Sequence, residues 1–158
     1  MIQTAKTIPE LLTENHTIAV VGLSGNPERP SHEVAAYLQA QGYRIIPVNP
    51  VSAGMRILGE PCYSTLAEAA TALAEENGII DIVDCFRNPE AIEPIADEAI
   101  AIGARCLWMQ LGVVNEQAAA KARAAGLAVV MDRCLKIEHG KMLSIADARP
   151  LNPRAVRS

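Results

Sequence analysis

Small residues, hydroxyl groups and a guanidinium are grouped directly after the first apolar run of this chain. The segment TIAVVGLSGNPERPSHE, residues 17–33, begins like a buried strand and ends in a helical pattern. Between the two lie Gly22, Ser24, Gly25, Arg29 and Ser31. A guanidinium binds phosphate through two parallel hydrogen bonds, and the unpaired N–H groups of a helix start attract anions. The segment therefore predicts an anion site that suits a phosphate-rich ligand better than a neutral sugar.

Two of these residues also have simpler interpretations. Ser31 is predicted to cap the N-terminus of the following helix, a role that leaves room for a second contact. Arg29 fits a solvated surface charge as well as it fits a phosphate contact.

The same loop departs from the dinucleotide-binding fingerprint G-x-G-x-x-G. Two glycines are present, but Ser24, Asn26 and Pro27 interrupt the spacing. NAD sites also need an acidic residue near the end of the second strand to hold the ribose hydroxyls. The sequence has PVNP, residues 47–50, at that place. Both departures weaken the hypothesis of an NAD(P)-binding regulator, which is kept as an alternative.

A second arginine follows another apolar run, IIDIVDCF. Arg87 stands between this predicted strand and Asn88, the predicted N-cap of the next helix, and is a second candidate phosphate partner. Phe86 either flanks an adenine ring or packs in the core. Asp84 must be hydrogen-bonded if it is buried, and capping of the next loop is its simplest role.

The histidines form no catalytic arrangement in the predicted order of elements. His16 precedes the first strand, at the end of the sheet opposite the ligand loops. His32 lies in a first helical turn, where a solvated side chain is favoured over a phosphate contact. His139 is predicted to lie at the surface. We therefore predict no catalytic residue.

The elements that would position these residues alternate between strand and helix. Apolar runs predict strands at residues 17–23, 43–48, 79–86, 105–110 and 127–131, with a short strand near 56–58. Helices are predicted after residue 7, at 31–41, from 65, after 88, at 115–126 and at 132–143. This pattern predicts an α/β fold: a doubly wound, mostly parallel sheet of five or six strands with helices on both faces.

In such sheets ligands bind beyond the carboxyl ends of the strands. The loops expected at that edge are residues 22–30, 49–56, 87–88, 110–114 and 132–136. One domain is expected over residues 1–145. The segment 146–158, which is rich in proline and arginine, is expected to be a mobile tail.

Composition narrows the classes of function. The chain has 158 residues, a net charge of −4 and only 3% aromatic residues. This charge argues against a nucleic-acid surface, and no apolar run is long enough to span a bilayer. The widely spaced cysteines and the absence of a secretion signal predict reduced thiols in a cytoplasm, without zinc or disulfides.

Several blocks together resemble the stand-alone coenzyme A-binding protein family, which is similar to the nucleotide-binding domain of the succinyl-CoA synthetase α subunit. The resemblance covers residues 8–139 and rests on VGLSGNPERPSHEVAAYL, RIIPVNP, ILGEPCYSTL, DIVDCFRNPE and LWMQLGVVNEQAAAKARAAGLAVVMDRCLKIEH. It implies a Rossmann-like fold that binds CoA or acyl-CoA.

The resemblance also implies roles for individual residues. Gly22, Ser24, Arg29 and Ser31 would line a phosphate loop. Asn49 and Pro50 would lie beside the nucleotide with Arg87 nearby, and Gln110, Leu111 and Gly112 would lie at the pantetheine side. The synthetase relatives carry a catalytic histidine in a further domain that this sequence does not contain. The expected function is therefore CoA binding without catalysis, and a partner-dependent subunit of a CoA ligase is the alternative.

One cysteine is a candidate for chemistry with the thiol of CoA. Cys134 follows Arg133 and precedes Lys136, and nearby cations make a thiol more reactive. A mixed disulfide with CoA is one interpretation, and a small buried hydrophobe is the other. The Ala-rich helix at 115–126 would also permit a homodimer.

Overall fold

The computed structural model describes residues 5–148, with side-chain surroundings to residue 145. Its strands are β1 Thr17–Val21, β2 Arg44–Val48, β3 Arg56–Ile57, β4 Glu60–Pro61, β5 Ile82–Cys85, β6 Cys106–Met109 and β7 Ala128–Val130. Five of them form one sheet in the order β2-β1-β5-β6-β7, and every pairing in it is parallel. The short strands β3 and β4 form an antiparallel hairpin. The predicted α/β sheet is confirmed.

Six α-helices connect the strands. They are α1 Ile8–Glu14, α2 Pro30–Ala40, α3 Leu66–Ala74, α4 Ile92–Ala101, α5 Glu116–Ala124 and α6 Leu135–Ala148. Buried side chains of α1, α2 and α6 pack on one face of the sheet, and those of α3, α4 and α5 pack on the other. Helix α6 continues past its predicted end at residue 143 and reaches three residues into the segment expected to be a tail. The rest of that segment lies outside the described residues.

Successive side chains of each strand point to opposite faces of the sheet, so the core is divided between these two helix layers. Trp108 lies in the cluster with α1, α2 and α6, whereas Met109, the next residue, lies in the opposite cluster. Cys85 and Cys106 are fully buried, as expected of core residues. Among the described residues all four cysteines are free thiols.

Side chains cap several helix starts. Thr7 forms a complete capping box with Glu10, and the side chain of Asn115 caps α5. At α3 the Thr65 hydroxyl accepts a hydrogen bond from the Glu68 N–H, but the Glu68 carboxylate binds the backbone N–H of Ser64, so a capping box is only half formed. Asn88, the predicted N-cap after β5, makes no side-chain capping bond in the described chain.

The strand order places a crevice between β1 and β5. From β1 the chain moves outward to β2, then crosses back to β5 on the other side of β1, and continues outward through β6 and β7. This reversal makes the carboxyl ends of β1 and β5 the expected ligand site of a doubly wound sheet. In the described part of the chain, no helix is long and apolar enough to span a membrane. The same residues contain no group of three metal-binding side chains.

Candidate functional site

Gly22 brings the loops after β1 and β5 into direct contact. Its φ of +94° is a left-handed conformation that favours glycine, and its N–H donates to the Val48 carbonyl at 2.8 Å. A Cβ at this position would lie only 2.3 Å from the carbonyl oxygen of Phe86. Only glycine therefore allows the two loops to meet at the crevice.

The side chain of Arg87 lies over this contact. Its Cδ would be 3.0 Å from a Cβ built on Gly22, so its aliphatic stem crosses the first residue of the loop after β1. Arg87 and Arg29 are both exposed. Among the described residues neither guanidinium forms an ion pair, in contrast to Arg44, Arg105 and Arg133. Both cations remain available to an anion.

The loop between β1 and α2 is held by its own side chains. The Ser31 hydroxyl accepts a hydrogen bond from the Ser24 N–H at 3.0 Å, and the Ser24 hydroxyl accepts one from the Asn26 N–H at 3.0 Å. The Asn26 amide oxygen accepts from the Glu28 N–H at 3.0 Å. These three bonds fix a compact loop above the strand end.

The predicted N-cap role of Ser31 is wrong. Helix α2 begins one residue earlier because Pro30 occupies its first turn, where the fixed φ of proline suits a helix. Arg29 therefore stands at the N-cap position, and its side chain makes no capping hydrogen bond. The helix start thus lacks a side-chain partner of its own.

Two backbone donors, one in the loop after β1 and one in the first turn of α2, have no protein partner in the described part of the chain. Within the described residues, the N–H groups of Gly25 and Ser31 donate to no protein acceptor. Unpaired N–H groups and the positive end of the helix dipole favour an anion. The arrangement fits phosphate oxygens.

His32 is less exposed than predicted. Its Nδ1 lies 2.9 Å from the Ser24 carbonyl oxygen, and because that oxygen can only accept, Nδ1 carries the proton. The imidazole therefore supports the loop after β1 rather than projecting into solvent.

Asn49 connects the loop after β2 to the same loop. Its side-chain amide donates to the Leu23 carbonyl at 3.0 Å and its oxygen accepts from the Val51 N–H at 3.1 Å. Pro50, the next residue, is exposed. The structure thus brings Gly22, Ser24, Gly25, Arg29, Ser31, Asn49, Pro50 and Arg87 to one edge of the sheet.

A small cavity of about 130 Å³ opens at this edge, toward α3 and α4. Pro50 and Arg87 line it together with Ser64, Thr65 and Glu98. The sequence analysis missed these last three residues because it considered only the loops that directly follow strands. The N-cap signal at Thr65 could have shown that α3 also begins at this edge.

A larger cavity lies elsewhere. Its volume is about 1220 Å³, and it follows the outer edge of β7 between α1 and the ends of α4 and α5. None of the predicted CoA-site residues lines it. Size alone would favour this groove. We place the candidate site at the crevice because the strand order reverses there. Arg29 and Arg87 lie in loops at that edge, whereas Arg123, which also lacks an ion pair among the described residues, lines the groove, so the unpaired cations alone do not decide between the two.

Gln110 and Asp84 form a buried pair below the loop after β6. The Gln110 amide donates to Asp84 Oδ1 at 2.7 Å, and neither side chain is exposed. Burial raises the pKa of Asp84 to about 8, and the hydrogen bond from Gln110 opposes this rise. Asp84 Oδ2 has no partner among the described residues. The predicted capping role of Asp84 is therefore wrong, and the Gln110 amide group is directed to the carboxylate.

The next residues complete that loop. Gly112 has a φ of +84°, and its N–H donates to Asp132 Oδ1 at 2.7 Å. Leu111 is exposed beside it. Phe86 is half-buried and packs against the apolar cluster of α1, α2 and α6, so its core role is present and a contact with adenine stays a prediction.

Cys134 is half-buried against the same cluster. The cations expected to activate it have carboxylate partners. Arg133 lies 3.5 Å from Glu138, and Lys136 lies 2.8 Å from Glu33. These ion pairs reduce the electrostatic reason for a reactive thiol, and that role also stays a prediction.

The prediction that His139 lies at the surface is wrong. Its ring is buried where α6 packs on α2, with Nδ1 2.9 Å from the Tyr37 hydroxyl. The edges of Tyr37 and Tyr43 enclose it, and burial lowers its pKa. It supports the packing of these helices, away from the crevice.

Comparison with known proteins agrees with this fold. A family model described as a CoA binding domain matches residues 16–140. The YneT protein of Bacillus subtilis (strain 168) is 41% identical over 132 residues, which are 84% of this chain and 91% of YneT.

Two solved structures share the fold at similar identity. A cell-free-synthesised protein from Thermus thermophilus has a TM-score of 0.78 at 34% identity, covering 87% of this chain and 99% of its own. A protein from Pyrococcus horikoshii OT3 has a TM-score of 0.76 at 35% identity, covering 90% of this chain and 99% of its own. With a family model matched over most of its length and a relative of this identity, the chain belongs to the CoA-binding domain family.

Proposed function

We propose that this protein binds coenzyme A or an acyl-CoA in the crevice between the carboxyl ends of β1 and β5. The observation that carries the proposal is that two loops in contact at Gly22 each carry an exposed arginine without an ion pair among the described residues, Arg29 and Arg87, and that the loop of Arg29 has unpaired N–H groups. Membership of the CoA-binding domain family supports the same ligand.

Each part of the crevice has a defined task in this proposal. The N–H groups of Gly25 and Ser31 donate to the diphosphate at the start of α2, where the helix dipole adds to the attraction. The guanidinium groups of Arg29 and Arg87 bind phosphate oxygens with charge-assisted hydrogen bonds. Neutralisation of phosphate charge is then the main source of affinity.

The dimensions of the small cavity limit what it can hold. Ligand pockets usually enclose about 300–1,000 Å³, whereas this cavity has about 130 Å³. It therefore accepts one small group of the ligand, beside the hydroxyls of Ser64 and Thr65. The rest of the ligand lies across the open crevice.

The end of β2 disfavours NAD(P) as the ligand. Asn49 stands where NAD sites carry a carboxylate for the ribose hydroxyls. Its side chain already binds the Leu23 carbonyl and the Val51 N–H. A nicotinamide dinucleotide would therefore lack that anchor.

We assign binding and no chemical step to this chain. His32 is hydrogen-bonded to Ser24, and His139 is buried away from the crevice. His139 is therefore too far into the helix packing to act at the crevice, and the hydrogen bond of His32 has a supporting role in the loop. A CoA ligase subunit that acts only with a partner chain is the competing proposal, and it predicts acyl-CoA turnover when cell extract is added.

Isothermal titration tests the proposal with CoA, dephospho-CoA, NAD and NADP. Arg87→Ala should weaken CoA binding about 10- to 100-fold, the worth of charge-assisted hydrogen bonds. If Arg29 contacts the 3′-phosphate, Arg29→Ala should weaken CoA more than dephospho-CoA.

Arg123 provides a matched control, since it is exposed on α5 and also lacks an ion pair within the described residues. Arg123→Ala should bind CoA like the wild type. Absence of heat with CoA, equal binding of CoA and NAD, or an equal loss in the Arg123 variant would contradict the proposal.

A further inference from the structure

Large apolar side chains are exposed around the crevice. Half of the eight exposed large hydrophobic residues in the described chain belong to the loops after β2 and β6: Val51 at 90% exposure, Met55 at 63%, Leu111 at 65% and Val114 at 44%. A group of apolar side chains left in water beside polar residues is typical of a surface that a ligand or partner covers, whereas a single exposed apolar residue is not.

The loop that carries Leu111 and Val114 is fixed against the crevice. The Asn115 side chain donates to the Pro89 carbonyl at 2.9 Å, which ties this loop to the one that carries Arg87. At its other end, the Gln110 N–H donates to the Cys85 carbonyl at 3.3 Å, at the end of β5. The two apolar side chains are therefore held beside the crevice on a positioned loop.

The two apolar pairs differ in their surroundings. Leu111, Gly112, Val113 and Val114 form a segment without a polar side chain. The segment from Val51 to Met55 instead contains Ser52, and it follows Pro50, which lines the small cavity with its hydroxyl groups. The segment 111–114 is thus the better surface for an aliphatic group, and the loop after β2 suits the nucleotide.

We propose that Leu111 and Val114 bind the acyl chain of an aliphatic acyl-CoA, so that the acyl thioester, rather than free CoA, is the preferred ligand. This inference rests on the proposed CoA site. An acyl chain that lies on this segment removes both side chains from water, and each methylene group that it buries increases the affinity about fourfold. Free CoA ends in a thiol and leaves the apolar segment uncovered.

Titration with CoA, butanoyl-CoA and octanoyl-CoA tests the inference. The wild type should bind octanoyl-CoA at least about tenfold more tightly than CoA, because a few buried methylene groups suffice for that ratio. The double variant Leu111→Ser/Val114→Ser should lose this preference, so that it binds CoA and octanoyl-CoA with equal affinity, and its circular dichroism spectrum reports that it is folded. The matched control Val51→Ser/Met55→Ser should retain the preference.

Three results would overturn the inference while leaving the CoA site intact. They are equal affinity for CoA and octanoyl-CoA, an unchanged preference in the Leu111/Val114 variant, and loss of the preference only in the control variant. The inference would also be overturned if the wild type were a dimer without acyl preference and the Leu111/Val114 variant were a monomer. That result would assign the apolar surface to contact with a second copy of the chain. Failure of every CoA compound to bind would refute the proposed function itself.

Discussion

The buried carboxyl of Asp84 predicts an unusual dependence of stability on pH. An aspartate in an unfolded chain has a pKa near 4, whereas burial raises the pKa of Asp84 in the folded protein to about 8. The folded state therefore binds more protons than the unfolded state between these two values. The free energy of unfolding must then fall as pH rises, by about 1.4 kcal/mol per pH unit and about 5 kcal/mol in all.

Asp84→Asn removes this titration with little change in shape. The Asn oxygen can still accept the hydrogen bond from the Gln110 amide, and the side chain carries no charge at any pH. The difference in unfolding free energy, variant minus wild type, should therefore grow from near pH 4 and level off above pH 8. A total change of about 5 kcal/mol would be a large fraction of the stability of a typical domain.

Urea unfolding at one-unit intervals from pH 5 to 9 measures this difference. Titrations elsewhere in the chain cancel because both proteins share them. Glu116→Gln, at an exposed position on α5, is the control and should follow the wild-type profile. Parallel profiles for wild type and Asp84→Asn would refute the reasoning, since they would show that Asp84 keeps an ordinary pKa in the folded protein.

Two further predictions concern other parts of the fold. Gly22→Ala should destabilise the protein by more than the roughly 1–3 kcal/mol of backbone strain alone, because its Cβ would also meet the Phe86 carbonyl. Gly42→Ala is the control for backbone strain alone, because Gly42 has φ +102° and a Cβ built on it meets no other part of the described chain within 4 Å. Equal urea midpoints for the Gly22→Ala and Gly42→Ala variants would contradict a destabilising contact with the Phe86 carbonyl. Burial lowers the pKa of His139, so the unfolded state binds more protons and stability should fall as pH drops below about 6.5. His139→Gln should flatten this decline in thermal unfolding, and an unchanged decline would assign it to other groups.

The sheet and its ligand edge could be predicted because both depend on local patterns. Apolar runs such as residues 17–21 separated by helical segments are enough to identify parallel strands, and their order along the chain limits where the crevice can lie. Gly22 and Arg87 were predicted to lie at this edge because each directly follows such a run, and the structure brings them together.

The errors arose where distant segments meet. The burial of His139 depends on α6 packing on α2, and the pairing of Asp84 with Gln110 depends on β5 lying next to β6. Neither contact leaves a signal in the neighbouring residues of the chain. The shift of the helix start from Ser31 to Pro30 has a local cause, since proline favours the first turn.

A crystal structure determined with excess CoA would locate the ligand. We expect phosphate oxygens within hydrogen-bond distance of the Gly25 and Ser31 N–H groups, and of the Arg29 or Arg87 guanidinium. A structure in which CoA lies in the groove along β7, with the crevice between β1 and β5 free of ligand, would contradict this expectation.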